Sequence, residues 1–226
     1  MVSLLPFEIH WKGLNNTEFL YYSSMHIQNK KNNHEQSAKR NLLEAGIALF
    51  AEKGYASTSV REIVEKAGVT KPVLYYYFQS KEGMFHAILT WAAERLEIML
   101  SEVLETPGSV FDRLIHLYRH LYLGILENPN LFKMIHNLIF GTPQGAPQYD
   151  FDQYQKSMVK VIKAIYLEGL ARDEVTRADP DEVALLVLGL IDFCFHLDDA
   201  HPESLDSERP ERLLRLAFQG LENSNT

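Results

Sequence analysis

Apolar residues recur every three or four positions along most of the chain after residue 37, and no stretch alternates apolar with polar as a half-buried strand would. The pattern predicts an all-α protein of about nine helices. Ala38 to Lys53 sets Leu42, Leu43, Ala45, Leu49 and Phe50 at helical spacing, with Gly54 as the stop. A short second helix opens at SVRE, where Ser59 and Glu62 can form a capping box; Ile63 and Ala67 make its inner face and Gly68 ends it. Thr70 can cap a third helix reaching Phe78, and a fourth runs from Lys81 to about Leu104. After the linker TPGS at 106–109, helices are predicted over Val110–Glu127, Pro129–Phe140, Asp150–Ala171, Pro180–Leu197 and, approximately, Ser207–Glu222. Asp179, Pro180 and Glu182 supply the cap, first-turn proline and third-position acid of the penultimate one. The loop GTPQGAPQYD at 141–150 is the segment expected to move most. Residues 1–36 lack sustained periodicity and end in QNKKNNHEQS, so they read as a flexible extension, with Met25 an alternative start. Residues 37–83 and 84–226 are then two modules.

The stretch VTKPVLYYYFQSK at 69–81 carries the chemistry of the first module. Four consecutive aromatics suggest a strand by propensity, yet they follow a tight AGVT turn between two short helices, the parts of a helix-turn-helix. In a helix, successive residues turn by about 100°. Leu74 and Phe78 then share the face toward the core, Tyr76 lies opposite with Pro72 and Val73 beside it, and Tyr75 and Tyr77 occupy the flanks. Tyrosine hydroxyls on the flanks suit phosphate oxygens, whereas Tyr76, Pro72 and Val73 face where base edges and thymine methyls would lie. Lys71 can reach a guanine edge or a phosphate, and Lys81 adds a cation beside the N-terminus of the next helix.

A formal charge of −8 argues against a polyanionic partner until it is divided along the chain. Residues 28–83 carry nine Lys/Arg and six Asp/Glu, a net +3, whereas 84–226 carry a net −10. A basic head on an acidic body is the asymmetry expected when one part alone meets DNA. The longest uninterrupted apolar run, VALLVLGLI at 183–191, is too short to span a membrane, no export signal is apparent, and the single cysteine, Cys194, rules out a disulfide within the chain. A cytoplasmic protein is expected.

The segment from Ala38 to Phe85 resembles the DNA-binding domain of the tetracycline-repressor (TetR) family. The matching pieces are LF…KGY ending the first helix, TSVREIV in the second, AGVT as the turn, LYYYF in the recognition helix and SKEGMF opening the fourth. The resemblance implies a homodimer that inserts two recognition helices into successive major grooves of a near-palindromic operator. It also implies an effector-binding body in residues 84–226 and repression relieved by ligand. Position by position, Arg61 matches a DNA-contacting residue of the second helix, and Thr70, Lys71 and Val73 match variable or contacting positions of the third. Tyr75, Tyr77 and Lys81 match phosphate contacts, and Tyr76 a base reader. Gly46 and Val64 stand where the family usually has alanine, and Pro72 where glycine is frequent. Gly46 is expected to weaken the first helix by about 1 kcal/mol.

The body is rich in aromatics, and the resemblance places an apolar cavity among its helices. Tyr118, Tyr122, His136, Tyr154 and Phe193 are the candidates to line it and to orient a small, largely apolar effector. The alternative is a body that docks a protein partner. His116 and His120 share a helix face, and Asp192, His196, Asp198 and His201 cluster later, but neither set supplies a complete ligand set for zinc, so no metal or cofactor is expected. No phosphate loop or nucleophile elbow is present, and Cys194 sits in an apolar run that disfavours its thiolate; an enzyme is not expected. The last two helices, ALLVLGLIDFCF with its Gly189 and the segment bearing Leu213, Leu214, Leu216, Ala217, Phe218 and Leu221, are apolar over broad faces and are expected to form the dimer interface.

Overall fold

The computed structural model describes residues 33–141, 145–200 and 208–219, in which nine helices and no strand occur. In chain order they are α1 Asn33–Lys53, α2 Val60–Ala67, α3 Lys71–Phe78, α4 Lys81–Glu105, α5 Val110–Glu127, α6 Pro129–Phe140, α7 Asp152–Ala171, α8 Pro180–Ala200 and α9 Arg209–Gln219. Helix α1 begins five residues before Ala38 and so takes in NHEQS, assigned from sequence to the flexible extension. That run contains no glycine or proline, and a helix already nucleated extends one hydrogen bond per residue. Residues 1–32, including Met25, lie outside the described residues, as do 142–144 of the 141–150 loop and the flanks predicted for α9. Helix α7 starts at Asp152 rather than Asp150; Phe151 holds the N-cap position without a side-chain bond, and Asp150 accepts the Asp152 amide (3.1 Å). Asp179 does the same for α8 through the Asp181 amide (2.8 Å).

The helices enclose two hydrophobic cores joined by α4, which at 25 residues is about 37 Å long. Its first half gives Met84, Phe85, Ile88 and Leu89 to the first core, with Leu42 and Phe50 of α1, Ile63 of α2, and Leu74 and Phe78 of α3. Its second half gives Leu100 and Val103 to the second core, built chiefly from α5, α7 and α8. Met134 of α6 joins the first core, flanked by Leu131, Ile135 and Leu138. A boundary at 83/84 therefore divides the chain but not its packing: α6 follows that boundary in sequence and packs on α1.

Polar ties fix the body. Arg113, only 2% exposed, pairs with Glu168 and donates to the Leu104 carbonyl at the end of α4 (2.8 Å). The Tyr166 hydroxyl accepts from the Ala178 amide (2.7 Å) and donates to the Thr176 carbonyl (2.8 Å), holding the α7–α8 connection. Glu174 accepts the Val110 amide (2.9 Å) at the start of α5. Among the described residues no helix is long and apolar enough to cross a membrane.

Candidate nucleic-acid interface

Local sequence builds the reading head. Ser59 accepts the Glu62 amide and Glu62 accepts the Ser59 amide, so α2 opens on the expected capping box. Lys53, at the end of α1, also donates to the Glu62 carboxylate. That hydrogen bond first, and those from Ser59 next, hold the Glu62 carboxyl down at about 2. Gly68 closes α2 in the left-handed region (φ 67°), and the Val69 amide returns to the Val64 carbonyl (3.0 Å), a closure in which a Cβ would be strained. Helix α3 follows at once. Thr70 occupies its N-cap position but makes no side-chain cap bond, contrary to expectation; the first-turn proline fixes the backbone there.

The faces of α3 fall as its periodicity predicts. Leu74 is completely buried and Phe78 nearly so, while Tyr76 is 74% exposed. Tyr75 is exposed on one flank, and Tyr77, half-buried on the other, packs its ring edge-on against Tyr76 with centroids 5.0 Å apart. That contact stiffens two phenols that would otherwise rotate independently. Thr70, Lys71 and Pro72 are exposed and Val73 is half-buried, so the first turn of α3 continues the Tyr76 surface. Arg61 projects from α2 with its Nε on Glu65 one turn later (2.7 Å), a bond that raises its pKa further.

Lys81 departs from its expected placement. Its Nζ turns inward, donating to the carbonyls of Tyr55 (2.9 Å) and Thr58 (2.8 Å) and lying 4.0 Å from the centre of the Tyr55 ring. Burial lowers its pKa. Two of its three hydrogens thus tie the α1–α2 loop to the start of α4, and one remains for an outer acceptor. The α3–α4 turn is equally tight. Gln79 adopts φ 64°, the Ser80 amide reaches the Phe78 carbonyl (2.7 Å), and Ser80 caps α4 through the Gly83 amide (2.9 Å). A Cβ on Gly83 would stand 2.1 Å from the Phe78 carbonyl oxygen.

The effector candidates scatter. Tyr118 and Tyr122 are buried in the second core, stacked with centroids 5.7 Å apart. His136 of α6 lies among Phe132, Phe140 and His196 of α8. Tyr154 donates to the Leu89 carbonyl (2.8 Å) and packs near Tyr149 and Phe151; burial, then its hydrogen bond with Tyr149, pushes its pKa up. Phe193 is 57% exposed, on the outer side of α8. Its phase on α8 is shared with Leu185 and Gly189, opposite the buried Ala184, Val187, Ile191 and Cys194. Gly46 also reads differently in three dimensions: a Cβ there would meet the tip of the Met84 side chain at 2.2 Å, so a larger residue requires that flexible tip to move. No three His, Cys, Asp or Glu side chains converge among the described residues; the side chains of Asp198 and His201 lie outside them.

Comparison with known proteins agrees with this geometry. Residues 42–88 match the family described as "Bacterial regulatory proteins, tetR family". The chain is 28% identical over 186 residues to the HTH-type transcriptional regulator YhgD of Bacillus subtilis, covering 79% of this chain and 93% of YhgD. It is 30% identical over 146 residues to the HTH-type transcriptional repressor KstR2 of Mycolicibacterium smegmatis, covering 64% of this chain and 70% of KstR2. The solved SmeT–triclosan complex has the same fold, with a TM-score of 0.67 at 18% identity over 83% of this chain and 93% of SmeT. The chain belongs to the TetR family of helix-turn-helix transcriptional regulators.

Proposed function

We propose that this regulator is a ligand-responsive repressor that binds a near-palindromic operator as a homodimer. The observation that carries the reading is α3, whose aliphatic edge at Leu74 is sealed while its phenolic edge at Tyr76 stands in solvent. Tyr76, Pro72, Val73 and Lys71 face base edges; Tyr75, Tyr77, Thr70 and Arg61 hold the backbone; Lys81 gives its remaining hydrogen to a phosphate while the other two position the loop. Half-sites read by such a dimer lie about 34–36 Å apart. The head, residues 37–83, and the body, 84–226, divide DNA reading from control and dimerisation. A DNA-directed repressor acts in the cytoplasm and needs no catalytic centre.

The dimer uses α8 and α9. Leu185, Leu186 and Phe193 of α8 and Leu216 of α9 are exposed in the protomer, and beyond the helix's own backbone no atom of the described residues lies within 4 Å of where a Gly189 Cβ would stand. Leu185, Gly189 and Phe193, each four residues apart, form a stripe that a second copy can approach closely. Phe193, expected among the effector's contacts, thus becomes a dimer residue. Small-molecule control is supported by the SmeT–triclosan complex, a protein of this fold with triclosan bound.

The test is a selection of duplexes from random DNA, followed by affinity measurements for Tyr76→Ala and Tyr76→Phe. Tyr76→Ala should cut discrimination between selected and random duplexes by about 5- to 100-fold, the worth of a base contact, while binding to random DNA changes little. Unchanged discrimination in Tyr76→Ala removes the base-reading role.

A further inference from the structure

A cavity of about 220 Å³ lies where head and body meet, walled by the end of α1, the start of α4, the end of α6 and the segment 146–151. We infer that this cavity is a binding site for a small, neutral, planar aromatic molecule whose occupancy is coupled to operator binding. It is separate from the second core, where Tyr118 and Tyr122 lie.

Its chemistry sets the ligand class. Phe50, Tyr55 and Phe85 line the head side, with Tyr55 and Phe85 edge-to-face at 5.0 Å; Tyr149 and Phe151 line the other, 5.1 Å apart. Rings so arranged present both edges and faces to a flat guest. Among the described residues no Asp, Glu, Lys or Arg lines the cavity, so a charged guest would lose hydration without a counter-charge from them. Asn137 and Gln148 are its side-chain amides, able to meet a single hydroxyl or N–H. An enclosed cavity of about 150 Å³ accommodates benzene, so about 220 Å³ has room for a substituted ring or a fused bicycle.

Its position sets the consequence. Tyr55 lines the cavity, its ring lies under the Lys81 ammonium, and its carbonyl accepts from that same ammonium. Three residues later Thr58 gives Lys81 its second acceptor, immediately before the Ser59 cap of α2. On the opposite wall, Met134 and Leu138 belong to the α6 face that packs on α1. A guest therefore touches head and body together, and any movement of α6 against α1 changes the space it fills. Two ligands that bias one such joint alter each other's affinity reciprocally.

The inference rests on the reading of the chain as an effector-responsive DNA-binding regulator, and the experiment separates the two. Full-length protein is titrated with indole, phenol and, as a non-aromatic control, cyclohexanol, followed by saturation-transfer NMR and by anisotropy of a selected duplex. Indole or phenol should bind saturably at millimolar concentration or below, with cyclohexanol about tenfold weaker, and the bound aromatic should change duplex affinity by about fivefold or more in either direction. Ala146→Phe, which fills the cavity from the loop side, should abolish probe binding and with it the probe-dependent change in duplex affinity, while the duplex is still bound, at an affinity shifted as the guest would shift it. Asn137→Trp fills it from the exposed end of α6 and makes the same test should Ala146→Phe fail to fold. Absence of saturable aromatic binding, binding unaffected by the filling substitution, or binding without any change in duplex affinity would each overturn the inference. In every such case intact duplex binding leaves the regulator reading standing, whereas a wild-type chain that selects no duplex sinks that reading itself.

Discussion

The joint between α3 and α4 offers the sharpest test of how the fold aims its reading helix. Gly83→Ala adds one methyl group 2.1 Å from the Phe78 carbonyl oxygen, well inside van der Waals contact. No rotamer change relieves it, because the obstructing atom is backbone. The turn cannot simply swing open either: Lys81 anchors the start of α4 to Tyr55 and Thr58, and Phe85 is buried one turn later. Overpacking costs about 1–3 kcal/mol, with the upper part expected against backbone, and the helical preference of alanine returns about 0.5–1 kcal/mol. A net loss of about 1–2 kcal/mol follows, or roughly 2–8 °C in Tm for a chain of this size. Relief of the clash must move the end of α3, so duplex affinity should fall as well, by about tenfold for each 1.4 kcal/mol of misalignment. Gly124→Ala on α5 is the matched control. Beyond its own helix backbone no atom of the described residues lies within 4 Å of its Cβ position, and the same replacement should there stabilise by about 1 kcal/mol. Thermal melts and duplex titrations of both variants decide the matter. A Gly83→Ala protein as stable as Gly124→Ala, with wild-type affinity, would mean that this turn is not what fixes the recognition helix.

Three further outcomes are expected. Glu62 has a folded pKa of about 2 against an ordinary 4.5, so its bonds to Lys53 and Ser59 favour the folded state above pH 4.5 and lose that effect as pH falls toward 2. The advantage of wild type over Glu62→Ala in urea midpoint should therefore be constant from pH 6 to 8 and shrink below about pH 4.5; an advantage that holds at pH 3 would show that the charge is immaterial. Lys81→Met leaves two carbonyls without their donor and should destabilise by about 1–3 kcal/mol while reducing the salt slope of duplex binding by about 1. Loss of stability with an unaltered slope would restrict Lys81 to holding the loop. Leu185→Glu, at a position 66% exposed in the protomer, should leave helicity intact yet weaken dimerisation by about 3 kcal/mol over two copies, roughly a hundredfold, and sedimentation that still finds dimer at low micromolar concentration would place the interface elsewhere.

The sequence made the reading head legible because its signals are local. A capping box, a left-handed glycine and an i, i+4 apolar pair each act within one turn, so Ser59, Gly68, Leu74 and Phe78 stand where their pattern put them. Signals that depend on distant partners were not legible. The inward turn of Lys81 is decided by carbonyls 23 and 26 residues upstream, and no periodicity reports where the tip of a long side chain goes. Helix α8 is apolar around most of its circumference, so its pattern left open which side would meet the body; Phe193 fell on the outer side. Gly46 looked like a weak point of α1 when only propensity was weighed, and its closeness to Met84 became visible once α4 was in place. Helix α1 began early because the polar run before Ala38 lacks apolar spacing, yet contains nothing that breaks a helix.

Helix α6 explains how the acidic body can govern the basic head. Its place in the sequence joins it to α5 and α7, but Met134 is buried in the core that also holds Leu74 and Phe78 of the recognition helix. A packed core does not deform continuously, so displacement of α6 must either carry α1 with it or open space at their contact. Helix α4 offers a second route, since Leu100 and Val103 are fixed in the body while Met84 and Phe85 are fixed in the head. The two routes converge on Lys81: α4 carries it, and the loop it holds leaves the end of α1. In the proposed dimer, which would engage two half-sites together, a small rotation at this point is multiplied by the distance to Tyr76. Control of DNA binding then needs no rearrangement within α2 or α3, only a change in where α6 and α4 set them.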